Sequence, residues 1–169
     1  MSERLVTATG LVIDAGPTVE ADHDELLTLF RAIVAAGEGY PQDPTEPVTP
    51  DAFHAYWLAP ATASVVARTD QGALAGGFTM KPNGPGRAAH VANAGYIVAT
   101  GLRGRGIGEA LVRHSFDLAR AHGFDAMQFN FVFEDNPARR LYERLGFTDV
   151  GRVPDVIDGE AVHIYWRAL

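Results

Sequence analysis

Arg103-Gly104-Arg105-Gly106-Ile107-Gly108 is the stretch on which the reading of this chain turns. An apolar, strand-like run, Ala94-Gly95-Tyr96-Ile97-Val98, stands before it, and a helical pattern begins near Ile107. A glycine-rich turn from strand into helix leaves backbone N–H groups at the positive end of a helix dipole, a ready site for phosphate or pyrophosphate. The glycines put no side chain in the ligand's way and tolerate the angles of such a turn. Arg103 and Arg105 add charge-assisted donors. The stretch therefore predicts a phosphorylated cofactor.

Composition narrows the class. At 169 residues with 47% hydrophobic content, the chain suits one compact domain, residues 1–169, with a sizeable core. The net charge of −7 is spread along the chain, and no basic stripe suggests a nucleic-acid partner. Thirteen of the fourteen basic residues are Arg, and only Lys81 is Lys, which argues against covalent lysine chemistry. There is no Cys, so disulfides, thiolate metal sites and a cysteine acyl-enzyme are excluded. No run approaches the roughly 18 apolar residues of a membrane span. The start, Met1-Ser2-Glu3-Arg4, lacks the layout of a secretion signal. The expectation is a cytoplasmic enzyme or binding protein without a membrane or nucleic-acid partner.

Outward from the glycine stretch, periodicity gives the elements. Leu11–Ala15 reads as a first strand, and a helix capped by Asp22 or Asp24 runs to about Ala36 with Leu26, Leu29, Phe30 and Ile33 on its apolar face. Tyr40–Pro50 carries four prolines and predicts an ordered loop or lid. Thr49-Pro50-Asp51 looks like a helix start. Ser64–Arg68 and Leu74–Met80 make a hairpin, and His90–Val98 is the next strand. The helix after the glycines buries Ile107, Leu111, His114 and Leu118 by spacing. In Ala126–Phe133, alternation puts Phe129, Phe131 and Phe133 on one face. Asn136-Pro137 opens a short helix, and strands Phe147–Val153 and Val162–Trp166 flank the Asp158-Gly159 turn. The fold class is α+β, a single mixed sheet of about seven strands with helices on both faces.

A glycine-rich loop alone is a weak signal. A dinucleotide site survives on spacing, because the second strand ends Phe133-Glu134-Asp135, but no repeated βαβ series follows. The loop also lacks the Gly-Lys-Ser/Thr of a nucleotide triphosphate site. Paired with a second motif, the signal sharpens. Arg103-x-x-Gly106-x-Gly108, followed about thirty residues later by Asn136-Pro137-Ala138-Arg139-Arg140-Leu141-Tyr142-Glu143-Arg144-Leu145-Gly146-Phe147, resembles the GNAT superfamily of acetyl-CoA-dependent N-acetyltransferases. The resemblance covers roughly Val65 to Leu169. It implies acetyl-CoA as cosubstrate, its pyrophosphate on Gly104, Arg105, Gly106, Ile107, Gly108 and Glu109, with Arg103 beside them. It implies a pantetheine arm along Tyr96, Ile97 and Val98, and Asn136 approaching from the next element. One departure stands out: Asn136 and Tyr142 are six positions apart where many members have seven, and Asp135 occupies the usual Asn place.

Within that superfamily, Asn93-Ala94-Gly95-Tyr96, Met127–Val132 and the ending Asp158–Tyr165 resemble the azetidine-2-carboxylate acetyltransferase branch. That resemblance implies a small amino acid or proline analogue held by Asn93 and Asn130. Buried amides among apolar residues need partners, and an amide both donates to a carboxylate and accepts from an amine. Tyr142 would protonate the departing sulfur, and a strand N–H would polarise the carbonyl. Glu38, Glu134, His90 and His163 are candidate bases. Tyr40, Tyr56 and Trp57 either wall the acceptor pocket or belong to the core. No metal site is expected. Apolar, aromatic end strands suggest a homodimer. Two alternatives stay open: a protein or peptide N-acetyltransferase, and a non-catalytic acyl-CoA-binding sensor.

Overall fold

In the computed structural model, which describes residues 2–169, turn glycines and prolines cut the chain into twelve regular elements. They are β1 (Glu3–Val6), β2 (Val12–Pro17), α1 (His23–Ala35), α2 (Pro50–Phe53, continued by a π-helical turn over His54–Leu58), β3 (Ala63–Thr69) and β4 (Leu74–Pro82). Then follow β5 (Val91–Val98), α3 (Ile107–Ala121), β6 (Ala126–Phe133), α4 (Arg139–Arg144), β7 (Thr148–Ile157) and β8 (Glu160–Ala168). The strands form one eight-stranded mixed sheet in the order β1-β2-β3-β4-β5-β6-β8-β7. The strand beyond the expected seven is β1, whose Glu3-Arg4-Leu5-Val6 lies at the sheet edge, mostly exposed. Burial demands little of such a strand, so its sequence shows little pattern.

Every neighbouring pair is antiparallel except β5 and β6. That parallel pair is short: Val91 faces Ala126, Ala92 faces Met127, and there the ladder ends. Beyond it the two strands part and open a cleft in the middle of the sheet.

Helices cover both faces. On one, Leu26, Phe30 and Ile33 of α1 pack with Phe53, Trp57 and Ile97. On the other, Leu111, Val112, Phe116 and Ala119 of α3 pack with Phe78, Met127, Phe129 and Tyr165. Phe30 and Trp57 are fully buried, and each such side chain contributes about 1.5–3 kcal/mol by leaving water. The start of α2 follows its sequence: the Ala52 N–H donates to Thr49 Oγ1 at 3.1 Å, with Pro50 in the first turn.

Two details depart from simple periodicity. The buried face of α3 is centred on Leu111, Ser115 and Ala119; His114 and Leu118 lie only half-buried at its margin. Ser115 is tolerated inside because its hydroxyl donates to the Val112 carbonyl at 2.7 Å and meets the Tyr96 hydroxyl at 2.7 Å. In β6 a bulge breaks the alternation. Phe129 faces Tyr165 and Val132 faces His163, so one extra residue is inserted against β8. Phe131 is therefore 48% exposed while Val132 and Phe133 are both buried, which corrects the expected Phe129-Phe131-Phe133 face.

Gly76 and Gly77 in β4 have a steric reason. A Cβ at Gly76 would fall against the Ile97 carbonyl oxygen, inside contact distance, with backbone that has nowhere to go. Gly76→Ala is expected to lower stability by about 1–3 kcal/mol. Gly101→Ala, which meets nothing within 4 Å, is expected to stay within about 0.5 kcal/mol of the parent. Urea denaturation of both variants checks this.

Candidate active site

The cleft between the parted strands has a volume of about 530 Å³. Asn93–Val98 of β5 form one side, and Phe129–Phe133 of β6, Asn136 and Tyr142 form the other. Gly37–Pro41, Tyr56 and Lys81 close it on the α1 and α2 side, and Arg103 and Gly108 stand at the far end.

The β5 edge that faces the cleft has unused backbone groups. Hydrogen bonds from Ala99 N–H to Ala75 O (2.9 Å) and from Asn83 N–H to Val91 O (2.7 Å) bracket the β4–β5 ladder. Hydrogen-bonded pairs alternate in an antiparallel ladder, so Asn93, Gly95 and Ile97 turn their backbones to β4. Ala94, Tyr96 and Val98 turn theirs to the open edge. Of the three expected pantetheine partners, Tyr96 and Val98 thus present N–H and C=O groups to the cleft, whereas Ile97 contributes only a buried side chain. The Tyr96 carbonyl already accepts a hydrogen bond from the Tyr40 hydroxyl at 2.9 Å.

At the far end the glycine corner has the shape its sequence predicted. Gly104 and Gly106 have φ of +76° and +78°, the left-handed region that favours glycine. Gly106 caps α3, and its carbonyl accepts from Ala110 N–H at 3.1 Å. The N–H groups of Ile107, Gly108 and Glu109 precede that first helical bond and have no partner within the helix. The Arg103 guanidinium pairs with Glu38 at 2.6 Å across the cleft mouth. Arg105 is exposed, and its carbonyl accepts from the Thr9 hydroxyl at 2.8 Å. Glu109 turns its carboxylate to Arg113 (2.8 Å) and Arg144 (3.5 Å). Asn136 uses its side-chain oxygen on the Ala138 N–H at 2.9 Å, which fixes the turn into α4 and leaves its NH₂ toward Gly39.

At the near end an amide cluster spans the parted strands. Asn83 Oδ1 accepts from Asn93 Nδ2 at 3.1 Å and from Asn130 Nδ2 at 2.7 Å. Asn93 Nδ2 also donates to the Gln128 carbonyl at 3.1 Å, and Gln128 Nε2 donates to Asn130 Oδ1 at 2.8 Å. The two asparagines singled out in the sequence therefore meet through Asn83, which sequence reasoning missed. Asn83 stands in Asn83-Gly84-Pro85-Gly86, where turn chemistry alone accounts for an Asn. The only available signal was its place one residue past β4.

Tyr142 is half-buried on α4, its ring 4.8 Å from Phe129 and 5.8 Å from both Phe147 and Tyr165. Burial pushes its phenol up to about 12, and the nearby Tyr165 phenol adds to the shift. Among the described residues no group hydrogen-bonds its hydroxyl. Of the candidate bases, Glu38 is held below the usual carboxylate range by its hydrogen bond to Arg103. Glu134 is held down likewise by Arg152, 2.8 Å away. His90 is exposed and bonds the Arg87 carbonyl at 2.9 Å. His163 is buried outside the cleft against Asp149 at 2.6 Å. Trp57 is core; Tyr40 and Tyr56 line the cleft.

No helix among the described residues is long and apolar enough to cross a membrane. Residues 26–147 match the acetyltransferase (GNAT) family. The N-acetyltransferase aca1 of Schizosaccharomyces pombe is 42% identical over 96 residues, 56% of this chain and 44% of that protein. Protein SPT10 of Saccharomyces cerevisiae is 36% identical over 79 residues, 46% of this chain and 12% of its own length. The chain thus spans less than half the length of these relatives. The structure of a GCN5-related N-acetyltransferase from Kribbella flavida superposes with a TM-score of 0.85 at 37% identity, over 93% of this chain and 98% of that one. A phosphinothricin acetyltransferase from Sinorhizobium meliloti, solved in complex with AcCoA, shares the fold at a TM-score of 0.81 and 20% identity, over 93% and 88% of the two chains. With the parted β5 and β6, the glycine corner at α3 and this agreement, the chain belongs to the acetyltransferase (GNAT) family of acyltransferase enzymes.

Proposed function

We propose that this chain transfers an acetyl group from acetyl-CoA directly to the amine of a small molecule, an amino acid or proline analogue of the kind the azetidine-2-carboxylate branch takes. The observation that carries this reading is the alignment of the cleft. The open edge of β5 leads from the amide donors of α3 at one end to the Asn83, Asn93 and Asn130 cluster at the other. A long thioester cofactor and a small polar acceptor fit those two ends. Tyr40 and Pro41, the first residues of the Tyr40–Pro50 loop, line the cleft beside Gly95 and Tyr96, which favours a small molecule over a peptide. The reading keeps a cytoplasmic location, and exposed Val150, Val153 and Trp166 on β7 and β8 are consistent with a homodimer.

Acetyl-CoA supplies the acetyl group as a thioester. In this reading the N–H groups of Ile107, Gly108 and Glu109, with Gly104 to Gly106 and Arg103 beside them, hold its pyrophosphate. The Tyr96 and Val98 edge holds the pantetheine arm like an added strand, with an N–H placed to polarise the carbonyl. Asn136 presents its NH₂ from the opposite side. Asn93 and Asn130 orient the acceptor, and Asn83 positions both. As the amine nitrogen bonds the acetyl carbon and the C–S bond breaks, Tyr142 donates a proton to the departing thiolate, and the proton lost by the amine passes through solvent and restores the phenol; with that phenol shifted up to about 12 it stays protonated across the working pH range.

The test of the reading is thiol release from acetyl-CoA against a panel of amino acids, proline analogues, polyamines and peptides. Turnover of the small acceptors alone supports it. Turnover only of peptides moves the assignment to a protein acetyltransferase, and tight acetyl-CoA binding without any turnover moves it to a sensor. Tyr142→Phe is expected to lower kcat by about 100-fold or more while the acetyl-CoA KM hardly moves. Unchanged turnover would remove the phenol from the chemistry. Gly108→Asp places a carboxylate in the first turn of α3, which suits the helix dipole yet repels a pyrophosphate. Its melting temperature is expected to hold or rise while acetyl-CoA binding by calorimetry weakens about tenfold or more. Asn130→Ala is expected to raise the acceptor KM and leave that of acetyl-CoA in place, as initial-rate kinetics will show.

A further inference from the structure

Lys81 is the only lysine in the chain, and it lies in the cleft. On β4 it stands directly opposite Asn93, and residues opposed across an antiparallel pair share a face of the sheet. Its ammonium sits 5.5 Å from the centre of the Tyr56 ring, a cation–π contact that holds the charge over the acceptor side of the cleft. Among the described residues no carboxylate comes within ion-pair distance of it. The two acidic residues that line the cleft are Glu38 and Asp135; Glu38 is already joined to Arg103, and no bridge ties Asp135 to Lys81. A half-buried cation without a counter-ion, in a recess of the protein, favours an anionic ligand.

Position decides which anion. From Asn93 to Val98 the strand advances about 17 Å at roughly 3.3 Å per residue. Arg103 and the α3 corner lie at the Val98 end, so phosphates held there are out of reach of Lys81. The anion at Lys81 must come with the acceptor. Beside it, Asn93 spends its NH₂ on Asn83 and Gln128, and among the described residues its Oδ1 takes no hydrogen bond. A free acceptor atom and a free cation thus sit on directly opposed residues, whose Cβ atoms are typically about 5 Å apart. Both residues also line the same cleft, so one ligand that carries an amine and a carboxylate can meet the two together.

Resting on the transferase reading above, we infer that Lys81 is the specificity-determining residue of this cleft and holds the carboxylate of the amino- or imino-acid acceptor. Lys81 takes no part in bond making; it selects the acceptor by charge.

The experiment compares amino acids with the amines that remain when the carboxylate is removed. L-Proline is set against pyrrolidine and L-leucine against 3-methylbutylamine, with thiol release from acetyl-CoA as the readout. The full chain is expected to prefer the acids by about tenfold or more in kcat/KM, the worth of one charge-assisted contact. Lys81→Met keeps the stem against Tyr56 and removes the charge. It is expected to raise KM for the acids alone, leaving KM for acetyl-CoA and the melting temperature in place, and Lys81→Arg is expected to recover part of the preference. Equal use of acids and amines by the unaltered chain overturns the inference and leaves the transferase reading standing. So does a Lys81→Met effect of the same size on both series. Turnover of peptides or polyamines in place of either series also overturns it, and turnover of no acceptor at all defeats both this inference and the reading beneath it.

Discussion

Two residues of parallel pairing, Val91 with Ala126 and Ala92 with Met127, hold β5 to β6 before the strands part. Everything that makes a site here depends on that short ladder. Had the pairing continued, the backbone groups of Ala94, Tyr96 and Val98 would be satisfied by β6, and the sheet would be closed. An unpaired edge inside a sheet is costly, because buried N–H and C=O groups need partners. The protein meets part of that cost itself, with the Tyr40 hydroxyl on the Tyr96 carbonyl, and leaves the rest to solvent or a ligand. Past the parting, β6 carries a bulge and stays paired with β8 through Phe133.

The charged groups divide the cleft into two unequal ends. At the α3 end the helix dipole and Arg103 make a positive corner, tempered by Glu38. Around it Glu109 is drawn off by Arg113 and Arg144, which keeps its carboxylate engaged away from the helix amides. At the other end Lys81 stands beside the amides of Asn83, Asn93 and Asn130, which are satisfied chiefly by one another through Asn83. A network whose members bond each other is rigid before a ligand arrives, so less orientational freedom is lost when one binds.

Much of this was legible in the sequence because the local chemistry and the tertiary fold agree. The left-handed glycines at 104 and 106, the Thr49-Pro50 helix start and the hairpin of β3 and β4 all follow from backbone preferences that tertiary packing reinforces. The family resemblance supplied the cofactor, which no spacing argument would have chosen over a dinucleotide. What stayed hidden had no local signature. The β6 bulge is a property of how that strand meets β8, so Phe131 was read onto the wrong face. Asn83 looks like any turn asparagine until β5 and β6 bring two more amides to it. The backbone parity that separates Ile97 from Tyr96 and Val98 is fixed by pairing with β4, and the edge strand β1 carries almost no buried pattern at all.

Gly95 sits in β5 opposite Thr79, and a Cβ there would lie 3.1 Å from the Tyr40 hydroxyl. The missing side chain lets the first residue of the proline-rich loop lie close against the strand. Its grip and the shape of the chamber are thus linked: a methyl at that point would press the tyrosine tip aside by a few tenths of an ångström, and a bulkier side chain would press it further. The width of the passage at that point is therefore set by what the strand leaves out, and the outline of any molecule lodged there follows it.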